Sequence, residues 1–362
     1  MAAPKDLPRE TSPAVQPTNG SRMQPTATEP ATEPDALSAT LPRPRGPLSA
    51  AVVDTLSGAG TRALASGSAR KADPFGDDLA MALHTCYELH YRGFRGVSPD
   101  WEWNPELLAF RAELEAVFLD ALREATSGTD DVYGLLEELL VEEVPGDGVS
   151  HHLSREGTWE QLREYFVHRS IYHLKEADPH VWAVPRLRGH AKAAFVAVEF
   201  DEYGGGHGDR VHSRLFADLL DAAGLSSEYL HYLDVAAAEQ LAIVNLMSMF
   251  GLHRRLRGAL VGHFAAAEIT TAPSAARLVT ALRRHEAPEP CVHFFAEHVE
   301  ADAVHEQIMR RDVVGGLLRD EPDLAADVAF GIEATGLLEG RLADRLLGAW
   351  RDGRTSLVPV EY

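Results

Sequence analysis

The sequence predicts an all-α protein, and three observations carry that expectation. From about residue 75 onward, apolar residues recur at three- and four-residue steps, the spacing of one helix face. Glycines and prolines cut this pattern into helix-length blocks at Gly146/Gly148, Pro179, Gly204–Gly206, Gly224, Pro273 and Pro288/Pro290. Alternating apolar and polar runs bounded by turn signals, the mark of half-buried strands, are missing.

Residues 1–73 are rich in Pro, Ala, Thr, Ser and Gly and nearly lack aromatic side chains. Such a stretch buries too little apolar surface to offset its ordering entropy, so it reads as a disordered leader with a short helix near Ala50–Leu56. It is neither Arg-rich nor acid-poor, unlike a mitochondrial leader. Residues 74–150 form an extra helical layer or a small subdomain, with one clear helix at Glu106–Ala125. The core spans 151–355, with helices expected at Trp159–Leu174, Gly189–Glu202, Arg210–Ala223, Asp234–Phe250, Leu256–Glu268, Ser274–His285, Cys291–Leu318 and Leu324–Trp350.

The 362 residues carry a formal charge of −21, which argues against nucleic acid or an anionic membrane as partner. Two cysteines, Cys86 and Cys291, without a CxxC motif, exclude a disulfide framework and point to a reducing compartment. With no apolar run of transmembrane length and no signal-peptide core, a cytoplasmic location is expected.

Chemistry concentrates in His298-Val299-Glu300-Ala301-Asp302-Ala303-Val304-His305. At about 100° per residue, Asp302 falls near +40° and His305 near −20° from His298. Two imidazoles and a carboxylate on one helix face are the ligand set of non-haem iron(II) oxygen chemistry. Phe294, Phe295, Val304 and Met309 would bury that face, where a carboxylate without a partner is costly and a cation removes the cost. The alternative is a charged surface helix. Further candidate ligands are Glu176 before Pro179, Glu202 ahead of the glycine triplet, His212, and Glu268 after the small-residue run Ala265–Ala267. Each also reads plainly as a surface acid or a core histidine. Four carboxylates and three imidazoles suffice for two irons with positions left for dioxygen. A rival set uses the Asp-x-x-His steps Asp209–His212 and Asp302–His305, although ferritin-like proteins use Glu-x-x-His twice and this chain has that step once, at Glu228–His231.

This ordered string resembles that of the haem-oxygenase-like di-iron oxidase and oxygenase superfamily, the iron-containing redox enzymes, and within it the N-oxygenase branch. The stretches Lys175–His180, Asp201–Gly206 and Cys86–Phe94 share the likeness, which covers roughly residues 75–355. It implies a bundle of about seven core helices, two Fe(2+) ions held by Glu176, Glu202, His212, Glu268, His298, Asp302 and His305, dioxygen as co-substrate and an external electron donor. A homodimer is also implied by analogy. The activity this implies is N-oxygenation of an amino acid or amine to a hydroxylamine or nitro product in specialised-metabolite (antibiotic) biosynthesis. Alternatives are a same-fold oxidase that desaturates, cyclises or cleaves an aliphatic amino acid by C–H abstraction, and a metal-free helical binding or scaffold protein. Arg310, five residues past His305, is a candidate to bind a substrate carboxylate, with a solvated helix end as the alternative. Glu88 and His90 read as structural or entrance-lining residues, and His263 as a surface or outer residue.

Overall fold

A computed structural model describes residues 39–60, 64–142 and 145–359, the side chains of 300–303 excepted. Its helices are α1 (Pro47–Leu56), α2 (Asp77–Glu88), α3 (Pro105–Ala125), α4 (Val132–Leu139), α5 (Val149–Arg155), α6 (Trp159–His173), α7 (Gly189–Glu202), α8 (His212–Ala222), α9 (Ala238–Leu252), α10 (Arg257–Arg284), α11 (Glu289–Ile308), α12 (Gly315–Asp320) and α13 (Ala325–Arg351). A π-helical turn over Met309–Val314 joins α11 to α12. Among the described residues an isolated bridge, Ala39 to Phe94, is the one β-type pairing. None of these helices is long and apolar enough to cross a membrane.

Local signals start several helices. Thr158 accepts from the Gln161 backbone N–H while the Gln161 side chain accepts from Thr158, a reciprocal cap for α6. Asn104 caps α3 with Pro105 in the first turn. The centre of the bundle is α9, buried continuously from Gln240 to Gly251 and packed against α2, α10 and α13. Two glycines set the closest crossing, between α10 and α13. A Cβ on Gly262 would run into the Val328 carbonyl, and one on Gly331 into the Ala259 carbonyl. Helix α11 lies along α10 and beside α8, which brings the ligand-bearing faces toward one end of the bundle.

Three expectations need correction. The first is the leader, which was expected to run to residue 73. Residues 1–38 lie outside the described residues, but α1 is folded onto α2. Leu48, Val52 and Leu56, four apart, are buried, and the Asp78 carboxylate accepts from the Leu48 and Ser49 N–H groups that open α1. Arg45 anchors the entry by donating to the carbonyls of Leu233 and Ala236. The second is Pro273, which does not divide two helices; α10 runs straight through it. The carbonyls of Ala266 and Ala267 accept from the Thr270 and Thr271 hydroxyls just before the proline, and both halves of the helix are packed, which outweighs a proline cost of about 3 kcal/mol. The third is the helix expected over Cys291–Leu318, which is interrupted by the π turn although no breaker residue marks it. Helix α2 of the N-terminal layer is buried against α9 rather than forming a unit of its own.

Candidate metal centre

Four of the expected ligands meet at the end of α7. Glu202 is its last residue, and the chain then turns through Gly204, Gly205 and Gly206, all at positive φ (71°, 62° and 85°). A Cβ on Gly204 would lie 2.7 Å from the Val211 nitrogen, so a side chain is excluded where the chain doubles back. That turn starts α8 at His212, whose Nδ1 lies 2.7 Å from Glu202 Oε2. Glu176 comes from the irregular segment after α6. Tyr203 donates to Asp178 at 2.9 Å and so ties that segment to the end of α7. His298 enters from α11, its ring 4.5 Å from that of His212. Glu176, Glu202, His212 and His298 are all buried, with one ligand atom each within 4.8 Å of the others.

A second buried group forms alongside, from Glu202, Glu268 and His305. His305 Nδ1 is 3.0 Å from Glu268 Oε2 and 3.7 Å from Glu202 Oε1. Its Nε2 lies 3.2 Å from Asp201, a carboxylate that orients the ring from outside. Glu202 therefore belongs to both groups, Oε2 facing His212 and Oε1 facing His305.

The donor set fits metal ions. His298 Nδ1–H donates to the Phe294 carbonyl at 2.7 Å, which fixes the tautomer and leaves Nε2 with its lone pair buried and no protein partner. Glu176 Oε2 is likewise buried without a partner. Burial alone would raise the Glu176 carboxyl, yet His173, 2.9 Å away, with His298 and His212 behind it, holds it down to about 2. Buried carboxylate oxygens opposite an imidazole nitrogen without a protein partner are the donor types an iron site uses.

Six of the seven expected ligands are thus together, and Asp302 is on α11 with its side chain outside the described residues. The rival set does not form: Asp209 is exposed and in neither group. Arg310 is held by Glu306 and Glu137 and lines a separate cavity with Tyr133 and Arg319. His263 is buried rather than at the surface, bonded to Thr335.

Sequence reasoning missed two features. Glu199, one turn before Glu202 on the same face, is 3 % exposed with both oxygens unpartnered. Burial first, then Glu202 and Glu268, push its carboxyl well above the usual range. The i, i+3 spacing to Glu202 was the available signal. Behind Glu176, Lys175 donates to Glu88 at 2.9 Å in a wholly buried ion pair, completed by Tyr229 donating to Glu88 at 2.8 Å.

Comparison with known proteins agrees with this geometry. Residues 163–340, about half the chain, match the model of the iron-containing redox enzyme family, covering α6 almost from its start through most of α13. The chain is also similar to a nitrosourea synthase from Streptomyces achromogenes subsp. streptozoticus, 27 % identical over 161 residues. That match covers 44 % of this chain and 34 % of the relative. A helical bundle holding Glu/His clusters and the family match lead to one conclusion: through residues 163–340 the chain belongs to the iron-containing redox enzyme family, with its haem-oxygenase-like fold.

Proposed function

We propose that the protein is a non-haem di-iron, dioxygen-dependent oxygenase that oxidises the nitrogen of an amino acid or amine in specialised metabolism, drawing electrons from an external donor. The observation that carries this is Glu202, a single buried carboxylate with one oxygen in each ligand group. Two histidines and Glu176 complete the first site, and Glu268 and His305 the second, with Asp302 assigned to the centre by its position in the ordered string. The similarity to a nitrosourea synthase supports a nitrogen substrate.

Iron held there supplies the electrons and Lewis acidity that dioxygen chemistry requires. The chain supplies the rest. Phe294 fixes His298, and Asp201 fixes His305. Phe216, Phe294 and Phe295 form an aromatic wall that keeps water from the first group. Glu199, whose carboxyl is pushed well above the usual range by burial and by Glu202 and Glu268, sits one helical turn from Glu202.

Anaerobic titration with iron(II) followed by metal analysis tests the reading, with two ions per chain expected. Glu202→Gln is expected to weaken both sites by at least about 100-fold, whereas Glu268→Gln weakens only one. A chain that binds no iron, or a Glu202→Gln variant that weakens only one of the two sites, overturns it. Oxygen uptake with a panel of amino acids then identifies the product. A hydroxylamine or nitro compound supports N-oxygenation, and an alkene or one-carbon loss supports the C–H-abstracting alternative.

A further inference from the structure

The protein carries a large negative charge, yet Arg92, Arg95 and Arg214 are among the residues lining a cavity of about 740 Å³. Its wall includes Leu174, two residues before Glu176, and Ser213, which follows His212. The cavity therefore borders segments that present two of the four residues in the first group.

Arg92 is the best-organised cation in it. One guanidinium nitrogen donates to the Leu174 carbonyl at 3.0 Å, and the guanidinium lies 4.2 Å from the centre of the Tyr229 ring. Tyr229 is itself pinned through its hydroxyl to the buried Glu88–Lys175 pair. No carboxylate forms an ion pair with Arg92 among the described residues. The acids of the cavity are engaged elsewhere, Glu228 with His231 and Asp234 with Arg43. Arg214 is paired with Asp218. A planar cation held on two sides, with further N–H donors to offer, is built to take a carboxylate.

We infer that this cavity seats the carboxylate end of the substrate on Arg92, so that the substrate is an α-amino acid or a related amino carboxylate rather than a simple amine. The inference rests on the amine-oxygenase reading above and deepens it. Inorganic phosphate shares the anion chemistry and is the competing occupant.

The test is calorimetric titration of the anaerobic, iron(II)-loaded full chain. The probes are the twenty L-α-amino acids, the decarboxylated amine of each one that binds, and inorganic phosphate. At least one amino acid is expected to bind, with its amine at least about 10-fold weaker. Arg92→Met is expected to lower amino-acid binding to the level of the amine without weakening the amine further, and Arg92→Lys to recover part of the loss. Iron stoichiometry should stay at that of the parent in both variants. Equal binding of acid and amine, no binding by any amino acid, or phosphate binding tighter than every amino acid overturns the inference. The acid–amine comparison on the parent protein decides even if Arg92→Met fails to fold. Failure of this inference leaves iron loading intact, whereas failure of the di-iron reading abolishes it.

Discussion

Helix α10 carries two regions built on opposite rules. Its first half meets α13 backbone to backbone, with Gly262 and Gly331 admitting the close approach and His263 Nδ1 bonded to the Thr335 hydroxyl at 2.8 Å, which in turn donates to the Gly331 carbonyl. Further along, the same helix presents Glu268 to a neighbourhood crowded with Glu202, Glu199 and His305. The crossing minimises free energy by dense packing. The acidic end gathers like charges and buried polar atoms that a folded chain ordinarily avoids. Stability and chemistry are therefore separated by about two helical turns on one element, and substitutions in the two regions should move stability in opposite directions.

The largest effect belongs to the crossing. Gly331→Val places a branched side chain against the Ala259 carbonyl, a backbone atom that has no room to yield. A loss of more than about 4 kcal/mol is expected, read as a collapse of the thermal transition or of soluble yield. Gly336, exposed on the same helix with nothing near its Cβ position, is the control: Gly336→Ala should gain up to about 1 kcal/mol. If Gly331→Val melts like the parent, the two helices can part and the contrast fails.

A smaller effect, dependent on pH, comes from His263. Burial lowers its pKa to about 4, against an unfolded value near 6.5, with Glu339 opposing weakly. The folded state thus binds fewer protons in that interval. Its contribution is fully present above about pH 6.5 and is lost as pH falls through 4, by up to about 3 kcal/mol. His263→Gln should cost about 1 kcal/mol at pH 7.5 through the weakened Thr335 bond and should lose less stability between pH 6.5 and 4. Chemical denaturation across that window measures both. An unchanged acid limb would assign it to other groups, of which His168, also near 4, is the first to examine.

Much of the bundle and most of the site were legible because they depend on near neighbours in the chain. Helix α7 ends where periodicity meets the glycine triplet, and the same triplet explains how Glu202 and His212, ten residues apart, come to touch. His298 and His305 share a face through helix geometry alone. Long-range features were not legible. Glu88 and Lys175 are 87 positions apart, and nothing local in either stretch announces a buried ion pair. Arg92 gains meaning only from Tyr229 and Leu174. The short helix near Ala50–Leu56 was legible, but its packing onto the next helix was not, because its cap is supplied by Asp78, some 30 residues on. Pro273 misled because hydroxyls in the preceding turn and packing on both sides outweigh the lost bond.

The smallest effect is the most pointed test of the acidic end. A buried carboxyl without a hydrogen-bond partner costs about 1–3 kcal/mol, and Glu199 has none for either oxygen. Glu199→Leu in the metal-free protein should therefore raise stability by about that amount, the reverse of a normal core substitution. Because burial and the neighbouring glutamates raise its pKa, the folded parent must hold a proton that the unfolded chain releases. Its contribution is fully present below the unfolded value near 4.3 and declines as pH rises toward the elevated folded value. The advantage of the variant should accordingly widen in denaturant melts as pH rises above the unfolded value near 4.3. A variant less stable than the parent at every pH would show that Glu199 packs as an ordinary core residue. The acidic surroundings of Glu268 would then obey the same rule as the α10–α13 crossing, and the contrast between the two regions would fail.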